Sequence, residues 1–170
     1  MPSRDRHWVL VGLMGSGKTT VGTMLAARAG RPFIDNDQWL IEMTGRTARE
    51  IRERFGLAGL HRLEQRALAS ALATPTPSVI AAAASVVAHE ASRRRLSAAA
   101  TVIWLDVSAD VLARRVVGQL HRPLDRGPLR QLEAQQRQRN KYFAQIADVT
   151  IDGASSPNEI VDAILDQING

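Results

Sequence analysis

The sequence contains no cysteine, and this absence excludes several kinds of site at once. Without thiols the chain cannot hold a disulfide framework, a thiolate metal centre or a cysteine nucleophile. It also lacks an 18-residue apolar run, and residues 1–7 carry no apolar signal segment, so we expect no association with membranes. Both absences fit a soluble protein of the reducing cytoplasm.

Aromatic residues are scarce, at 4% of the chain, and lysine is nearly missing, since 20 of the 22 basic residues are arginine. The net charge of +5 is therefore carried by arginines, which are spread along the sequence. A nucleic-acid-binding protein would need a concentrated basic surface and aromatic platforms on which bases stack. We expect instead a small anionic partner, and no nucleic acid.

What the sequence does contain is a regular alternation of short apolar segments and helical patterns. Its 170 residues, 45% of them hydrophobic, are enough for one core, and we expect residues 1–170 to form a single, monomeric domain. Strands that alternate with helices predict a three-layer α/β/α domain with a five-stranded parallel sheet. The predicted strands are residues 8–11, 32–35, 78–81, 101–105 and 149–151.

The first of these strands leads into a glycine-rich loop. Residues 12–19 read GLMGSGKT, which matches the phosphate-loop pattern G-x-x-x-x-G-K-[ST]. Its three glycines let backbone N–H groups approach phosphate oxygens, and the helix that follows contributes the positive end of its dipole. Lys18 supplies a charge for the outer phosphates, and the Thr19 hydroxyl can bind Mg²⁺. The loop predicts a nucleoside triphosphate site.

Two acidic residues, Asp35 and Asp37, follow the second predicted strand at its carboxyl end, where open α/β sheets place their ligands. Asp35 could hold Mg²⁺ through water, and Asp37 could orient or deprotonate a hydroxyl group. The alternative is that one of the two only caps the next helix.

Two further stretches bear on a ligand. Helices between residues 36 and 73 carry His61 and Glu64 three positions apart beside an apolar stripe, and the alternative to a role at the ligand is a solvated helix flank. Residues 118–128 break the helical pattern with two arginines, a proline and flanking glycines. This composition predicts a mobile lid over an anionic ligand.

The order of these features resembles the shikimate kinases over nearly the whole chain. The resemblance implies a small P-loop kinase with a core, a lid and a substrate-binding region at about residues 36–73. It also implies ATP and Mg²⁺, transfer of the γ-phosphoryl group to the 3-hydroxyl of shikimate, and a place in aromatic amino acid biosynthesis. The matching segments are GLMGSGKTT, FIDNDQ, TGRTAREI, LHRLE, VIAAAAS, VIWLDVS, the RPL of the lid and RQRNKYF.

The same resemblance assigns roles to single residues. At the nucleotide, it implies the set Gly15, Ser16, Gly17, Lys18, Thr19 and Thr20 for the ATP phosphates, Thr19 and Asp35 for the metal, and Arg114 for the adenine. At the acceptor, it implies Asp37 for the hydroxyls and Arg139 for the acidic group. Arg122 of the lid would reach the phosphoryl group in transfer, so the expected catalytic residues are Lys18, Asp37 and Arg122.

Two departures from the family pattern lie on the acceptor side. Family members carry an arginine where this chain has His61, and a histidine cannot form a bidentate fork on a carboxylate. They also carry three glycines where this chain has Ala83, Ala84 and Ser85, so a methyl at Ala84 would narrow the substrate wall. Two alternatives therefore stand beside a shikimate kinase: a related kinase for another polyol or cyclitol, and a non-catalytic binding or regulatory module.

Overall fold

The sheet forms the middle layer of the molecule. The computed structural model describes residues 5–120 and 126–170, and these contain five strands, all parallel, in the order β2-β3-β1-β4-β5. The strands are β1 (His7–Val11), β2 (Phe33–Asp35), β3 (Val79–Ala81), β4 (Ala100–Asp106) and β5 (Val149–Asp152). The predicted five-stranded parallel sheet is confirmed.

Helices connect successive strands and cover both faces of the sheet. They are α1 (Lys18–Ala29), α2 (Asn36–Thr44), α3 (Ala48–Leu72), α4 (Glu90–Ala99), α5 (Ala109–Leu120), α6 (Arg126–Ile146) and α7 (Pro157–Asn169). Capping boxes start two of them, from Thr47 to Glu50 and from Ser156 to Glu159. Among the described helices, none combines the length and apolar character needed to cross a bilayer.

The alternation of side chains along β1 divides the core into two parts. Val9 and Val11 pack with side chains of α3, α4, α5 and α6, whereas Trp8 and Leu10 pack with α1 and α7 on the other face. All four side chains are buried, as expected for a central strand of a parallel sheet with both faces covered. The three-layer α/β/α arrangement follows from this division.

Helix α3 is bent near its first third. Gly56 has φ 70° and ψ 178°, which is not helical, and splits α3 into two parts. The second part carries the apolar stripe that was predicted from the sequence, and it packs on α2 through a small cluster of Leu40, Ile51, Leu60 and Ala67. These two helices thus form a layer at the edge of the sheet, next to the end of β2.

The predicted lid is only partly described. Residues 118–120 belong to the end of α5 and residues 126–128 to the start of α6. The centre of the predicted lid, with Arg122, lies outside the described residues.

Candidate active site

A cavity of about 1030 Å³ opens at the carboxyl ends of the central strands. The segments that follow β1, β2 and β3 meet there, because parallel strands end at the same edge of a sheet. The second part of α3 and helix α6 close the other side. Its walls include Gly15, Ser16, Gly17, Lys18, Thr19, Thr20, Asp35, Asp37, His61, Glu64, Ala83, Ala84, Ser85, Arg115 and Arg139.

The loop between β1 and α1 has the backbone geometry of a phosphate cradle. Gly12, Gly15 and Gly17 all have positive φ, and a Cβ on Gly12 would lie 2.8 Å from Oγ of Ser16 and 2.9 Å from the carbonyl of Leu105. Gly17 precedes α1 without a side-chain cap, so the first N–H groups of the helix stay open to a ligand. The buried Ser16 hydroxyl also has no partner among the described groups.

Lys18 lies at the base of this loop with its ammonium directed at the loop itself. Its Nζ donates to the carbonyl of Gly12 at 2.8 Å and to that of Leu13 at 3.0 Å. Burial lowers the pKa of Lys18 to about 8, while Asp37 and Asp35 oppose that shift. The side chain therefore remains mostly protonated at neutral pH, next to the place where phosphates would enter.

Asp35 caps helix α2 and also contacts the phosphate loop. One oxygen caps α2 by accepting from the N–H of Asp37 at 2.9 Å, and the other accepts from the Thr19 hydroxyl at 2.7 Å. A carboxylate and a hydroxyl held together beside a phosphate cradle are a donor set of the kind Mg²⁺ takes alongside phosphate oxygens. The residues present thus fit the metal, although no cluster of three or more acidic or histidine ligands occurs in the described part of the chain.

Asp37 projects into the open cleft from the first turn of α2. Its side chain is accessible to solvent, yet the surrounding protein desolvates it enough to raise its pKa. Asp35 raises it further, while Lys18 opposes the shift. A carboxylate with a raised pKa is better suited to accept a proton than an ordinary surface aspartate.

The end of the cavity away from the loop holds His61, Glu64, Ser85 and Arg139. The alternative of a solvated flank does not hold for Glu64, which is 8% exposed and accepts a hydrogen bond from the Ser85 hydroxyl. Burial raises the pKa of Glu64, and Asp37 raises it further, whereas the Ser85 hydrogen bond and Arg139 oppose this. A helix flank that faces water in isolation is covered here by the segment after β3.

His61 is half-buried and meets a second histidine edge-on, since its ring centroid lies 6.2 Å from that of His89. Burial lowers the pKa of His61, and the nearby charges of Arg139, His89 and Arg52 lower it further. Burial also lowers the pKa of Arg139, although Glu64 acts in the opposite direction. These effects favour the neutral imidazole, and Arg52 and Arg139 are the arginines of the cavity wall that act on it.

Of the two arginines at the end of α5, the structure brings Arg115 and not Arg114 to the cavity. Arg114 is exposed and is absent from the described cavity wall. Arg115 donates to the carbonyl of Gly15 at 3.1 Å and to that of Gly153 at 2.7 Å, which ties the phosphate loop to the loop after β5. Helical spacing contained this signal, because Arg115 follows the buried Leu112 by three residues.

This chain is similar to shikimate kinases both in sequence and in structure. A family model described as shikimate kinase matches residues 14–169. The shikimate kinase of Symbiobacterium thermophilum is 44% identical over 84% of this chain and 84% of its own, and that of Dechloromonas aromatica is 38% identical over 88% and 82%. The solved shikimate kinase of Acinetobacter baumannii, in complex with shikimate, superposes with a TM-score of 0.89 at 27% identity and covers 98% of this chain and 94% of its own.

Proposed function

This chain belongs to the shikimate kinase family, and from that premise we propose that it transfers the γ-phosphoryl group of ATP to the 3-hydroxyl of shikimate. It is an ATP-dependent phosphotransferase that uses Mg²⁺. One observation carries the proposal for the residues: a phosphate cradle and a set of candidate acceptor-binding groups line a single cavity. Phosphoryl transfer needs mainly positioning and neutralisation of charge, and this arrangement provides both.

At the donor end, the loop binds the ATP phosphates. The open N–H groups before and within the first turn of α1 donate hydrogen bonds to the phosphate oxygens, with Gly15, Ser16, Gly17 and Thr20 in the cradle. Lys18 turns its ammonium from the loop carbonyls to the β- and γ-phosphates when they enter. Thr19 and Asp35 are the residues that would hold Mg²⁺, which supplies neutralisation of charge on the same oxygens.

At the acceptor end, Asp37 orients the attacking hydroxyl and takes its proton. The hydroxyl oxygen forms a bond to the γ-phosphorus, the bond from that phosphorus to the β–γ bridging oxygen breaks, and ADP leaves. Arg139 binds the carboxylate of shikimate, His61 lies beside it, and Ala84 forms part of the wall. Asp37 is thus the base, and Lys18 stabilises the charge that develops on the phosphates.

Two arginines complete the assignment at the nucleotide. We assign Arg115 to the nucleotide end, since it lies between the phosphate loop and the loop after β5, and we do not keep Arg114 for this role. Arg122 remains assigned to the phosphoryl group in transfer on the strength of the sequence alone.

We propose that the chain acts as one kinase domain and as a monomer. We also propose that it works in the cytoplasm, because its donor ATP is an intracellular metabolite. Aromatic residues make up only 4% of the chain and leave few platforms on which bases could stack, which supports a small-molecule partner and no nucleic acid.

The experiment that tests this function measures ADP release from Mg·ATP with and without saturating shikimate. Wild type should show shikimate-dependent turnover, and Lys18→Ala should lower it by at least about 100-fold, because it removes the charge beside the phosphates. Lys141→Ala is the matched control, since Lys141 is the other lysine of the chain and lies exposed on α6. Bound ATP without shikimate-dependent turnover would contradict the proposal and direct the search to polyols, cyclitols and a regulatory role.

A further inference from the structure

The acceptor end of the cavity contains a buried hydrogen bond that the reaction described above does not use. The Ser85 hydroxyl, in the segment after β3, donates to Oε2 of Glu64 on α3. The two residues are 6% and 8% exposed, and both line the cavity together with Arg139. A buried carboxylate is unfavourable unless donors or cations compensate it, so this hydrogen bond determines where the Glu64 charge is held.

Within the part of the chain that the structure describes, no cation on α3 forms an ion pair with Glu64. Position 61 lies one turn before Glu64, within reach of it on a helix, but His61 presents a neutral imidazole there. The charged groups that act on Glu64 come from other elements: Asp37 repels it from α2, and Arg139 attracts it from α6. Arg139 nevertheless forms no ion pair with Glu64 among the residues that the structure describes.

We propose that Ser85 is a positioning residue that keeps the Glu64 carboxylate away from Arg139, so that Arg139 is free to bind the carboxylate of the acceptor. The inference rests on the proposed function, since it requires an acceptor with an acidic group. Glu64 and the acceptor carboxylate compete for one guanidinium, and the Ser85 hydroxyl decides this competition by giving Glu64 another partner. Ser85 thus acts on the substrate through Glu64 and Arg139.

Removal of the hydroxyl should therefore weaken acceptor binding selectively. In Ser85→Ala, Glu64 loses its donor and turns to Arg139, so the KM for shikimate and its dissociation constant without ATP should rise about three- to tenfold. The KM for ATP and kcat should remain those of wild type. Ser85→Thr keeps a hydroxyl at the same place and should restore wild-type binding.

The effect of Ser85→Ala should depend on the charge of Glu64. In a Glu64→Gln background the competing carboxylate is gone, so adding Ser85→Ala should change the shikimate dissociation constant by less than about twofold. If Ser85→Ala still weakened shikimate binding by the full amount in the Glu64→Gln background, the inference would be overturned, because the hydroxyl would then contact the acceptor directly. A fall in kcat with unchanged shikimate binding would overturn it as well.

Ser92→Ala is the matched control for loss of a buried serine hydroxyl. Ser92 is fully buried on α4, and it is neither in the described cavity wall nor hydrogen-bonded to any described group. Ser92→Ala should leave shikimate binding unchanged. Thermal unfolding checks that each variant is folded. If wild type itself shows no shikimate dependence, the proposed function fails and the inference falls with it. If wild type depends on shikimate and Ser85→Ala binds as wild type does, the inference alone fails.

Discussion

His61 shows how one side chain changes the recognition of an acid. An arginine would offer two parallel N–H groups to a carboxylate at any pH, whereas an imidazole offers at most a single hydrogen bond toward it and a charge only when protonated. Around His61 lie Arg139 on α6, Arg52 on α3 and His89 before α4, and all of them disfavour its protonated form. The acceptor site of this chain therefore combines permanently charged arginines with one group, His61, whose charge depends on pH.

We predict that shikimate binding to wild type tightens as pH falls from 8 to 6. The pKa of His61 lies below its ordinary value, so the free protein holds the neutral imidazole at pH 8. A bound carboxylate favours the imidazolium, and binding therefore takes up a proton, which becomes easier as pH falls. Calorimetry without ATP at several pH values measures this dependence.

Two variants separate His61 from other sources of pH dependence. His61→Gln should bind shikimate with little dependence on pH, and His61→Arg should bind about tenfold tighter than wild type at pH 8 and independently of pH. An unchanged pH slope in His61→Gln would contradict this assignment.

Asp37→Asn should depress turnover about 100- to 1000-fold while the dissociation constant for ATP changes by less than about twofold. The amide can still orient a hydroxyl but cannot take its proton. The raised pKa of Asp37 means that protonation begins at a higher pH than for an ordinary aspartate, so kcat of wild type should decline as pH falls through that pKa. The pH profile of kcat measures this decline at low pH. Asp166 is an exposed aspartate on α7, and Asp166→Asn should keep both the turnover and the pH profile of wild type.

The residue assignments differ in how far the sequence could predict them. Lys18, Thr19, Asp35 and Asp37 belong to local patterns, and the structure places all four in the wall of the same cavity. Glu64 and Ser85 are 21 positions apart, and their hydrogen bond depends on how α3 packs against the segment after β3. Helical periodicity shows which positions share a face but not what covers that face.

At the scale of elements, the bend in α3 sets the position of the acceptor groups. Gly56 separates the capped start of the helix from the part that carries His61 and Glu64. Its φ of 70° with ψ of 178° lies in a region that is essentially confined to glycine. The direction of the second part of α3 therefore depends on a conformation that another residue would resist.

We predict that Gly56→Ala lowers stability by about 1–3 kcal/mol and also raises the KM for shikimate. A Cβ on Gly56 would meet nothing within 4 Å, so strain in the backbone is the source of both effects. Gly30→Ala is the comparison, because Gly30 also has positive φ and open space but ends α1 on the far side from the acceptor groups. Urea unfolding and KM measurements test the pair, and an equal KM in both variants would contradict a role for the bend.

The elements themselves were predicted well where apolar patterns are continuous and less well at glycine and proline. All five strands were found with ends within one or two residues. Gly118 was placed in the predicted lid but lies within α5. Helix α6 begins at Arg126, inside the same predicted lid, because Pro128 falls in the first turn, where a missing N–H has no cost.

For the whole molecule, we predict that Mg·ATP raises the midpoint of thermal unfolding by about 5–10 °C at 100 times its dissociation constant. This concentration contributes about 2.7 kcal/mol by mass action, and a chain of this size shifts by about 2–4 °C for each kcal/mol. Lys18→Ala should fold but lose most of the shift. Differential scanning calorimetry provides the measurement, and a full shift in Lys18→Ala would contradict the role of this lysine.

The arrangement of the strands could not be derived from the sequence alone. Five apolar runs separated by helices predict a parallel sheet, but β1 lies between β3 and β4, and β2 lies at an edge. That order is set by which crossovers bury the most apolar surface once all helices are present, and no local pattern encodes it. The topology nevertheless decides the site, because it brings the ends of β1, β2 and β3 together.

The packing of α7 on α1 has a consequence for how the protein is made. Val21 and Leu25, just behind the phosphate loop, share their apolar cluster with Ile160, Val161 and Ile164 of the last helix. The face of α1 that anchors the loop is therefore uncovered on the ribosome until α7 has emerged from the exit tunnel. More than 130 residues separate Leu25 from Ile160, so a chain interrupted before α7 would expose apolar surface and would not hold ATP.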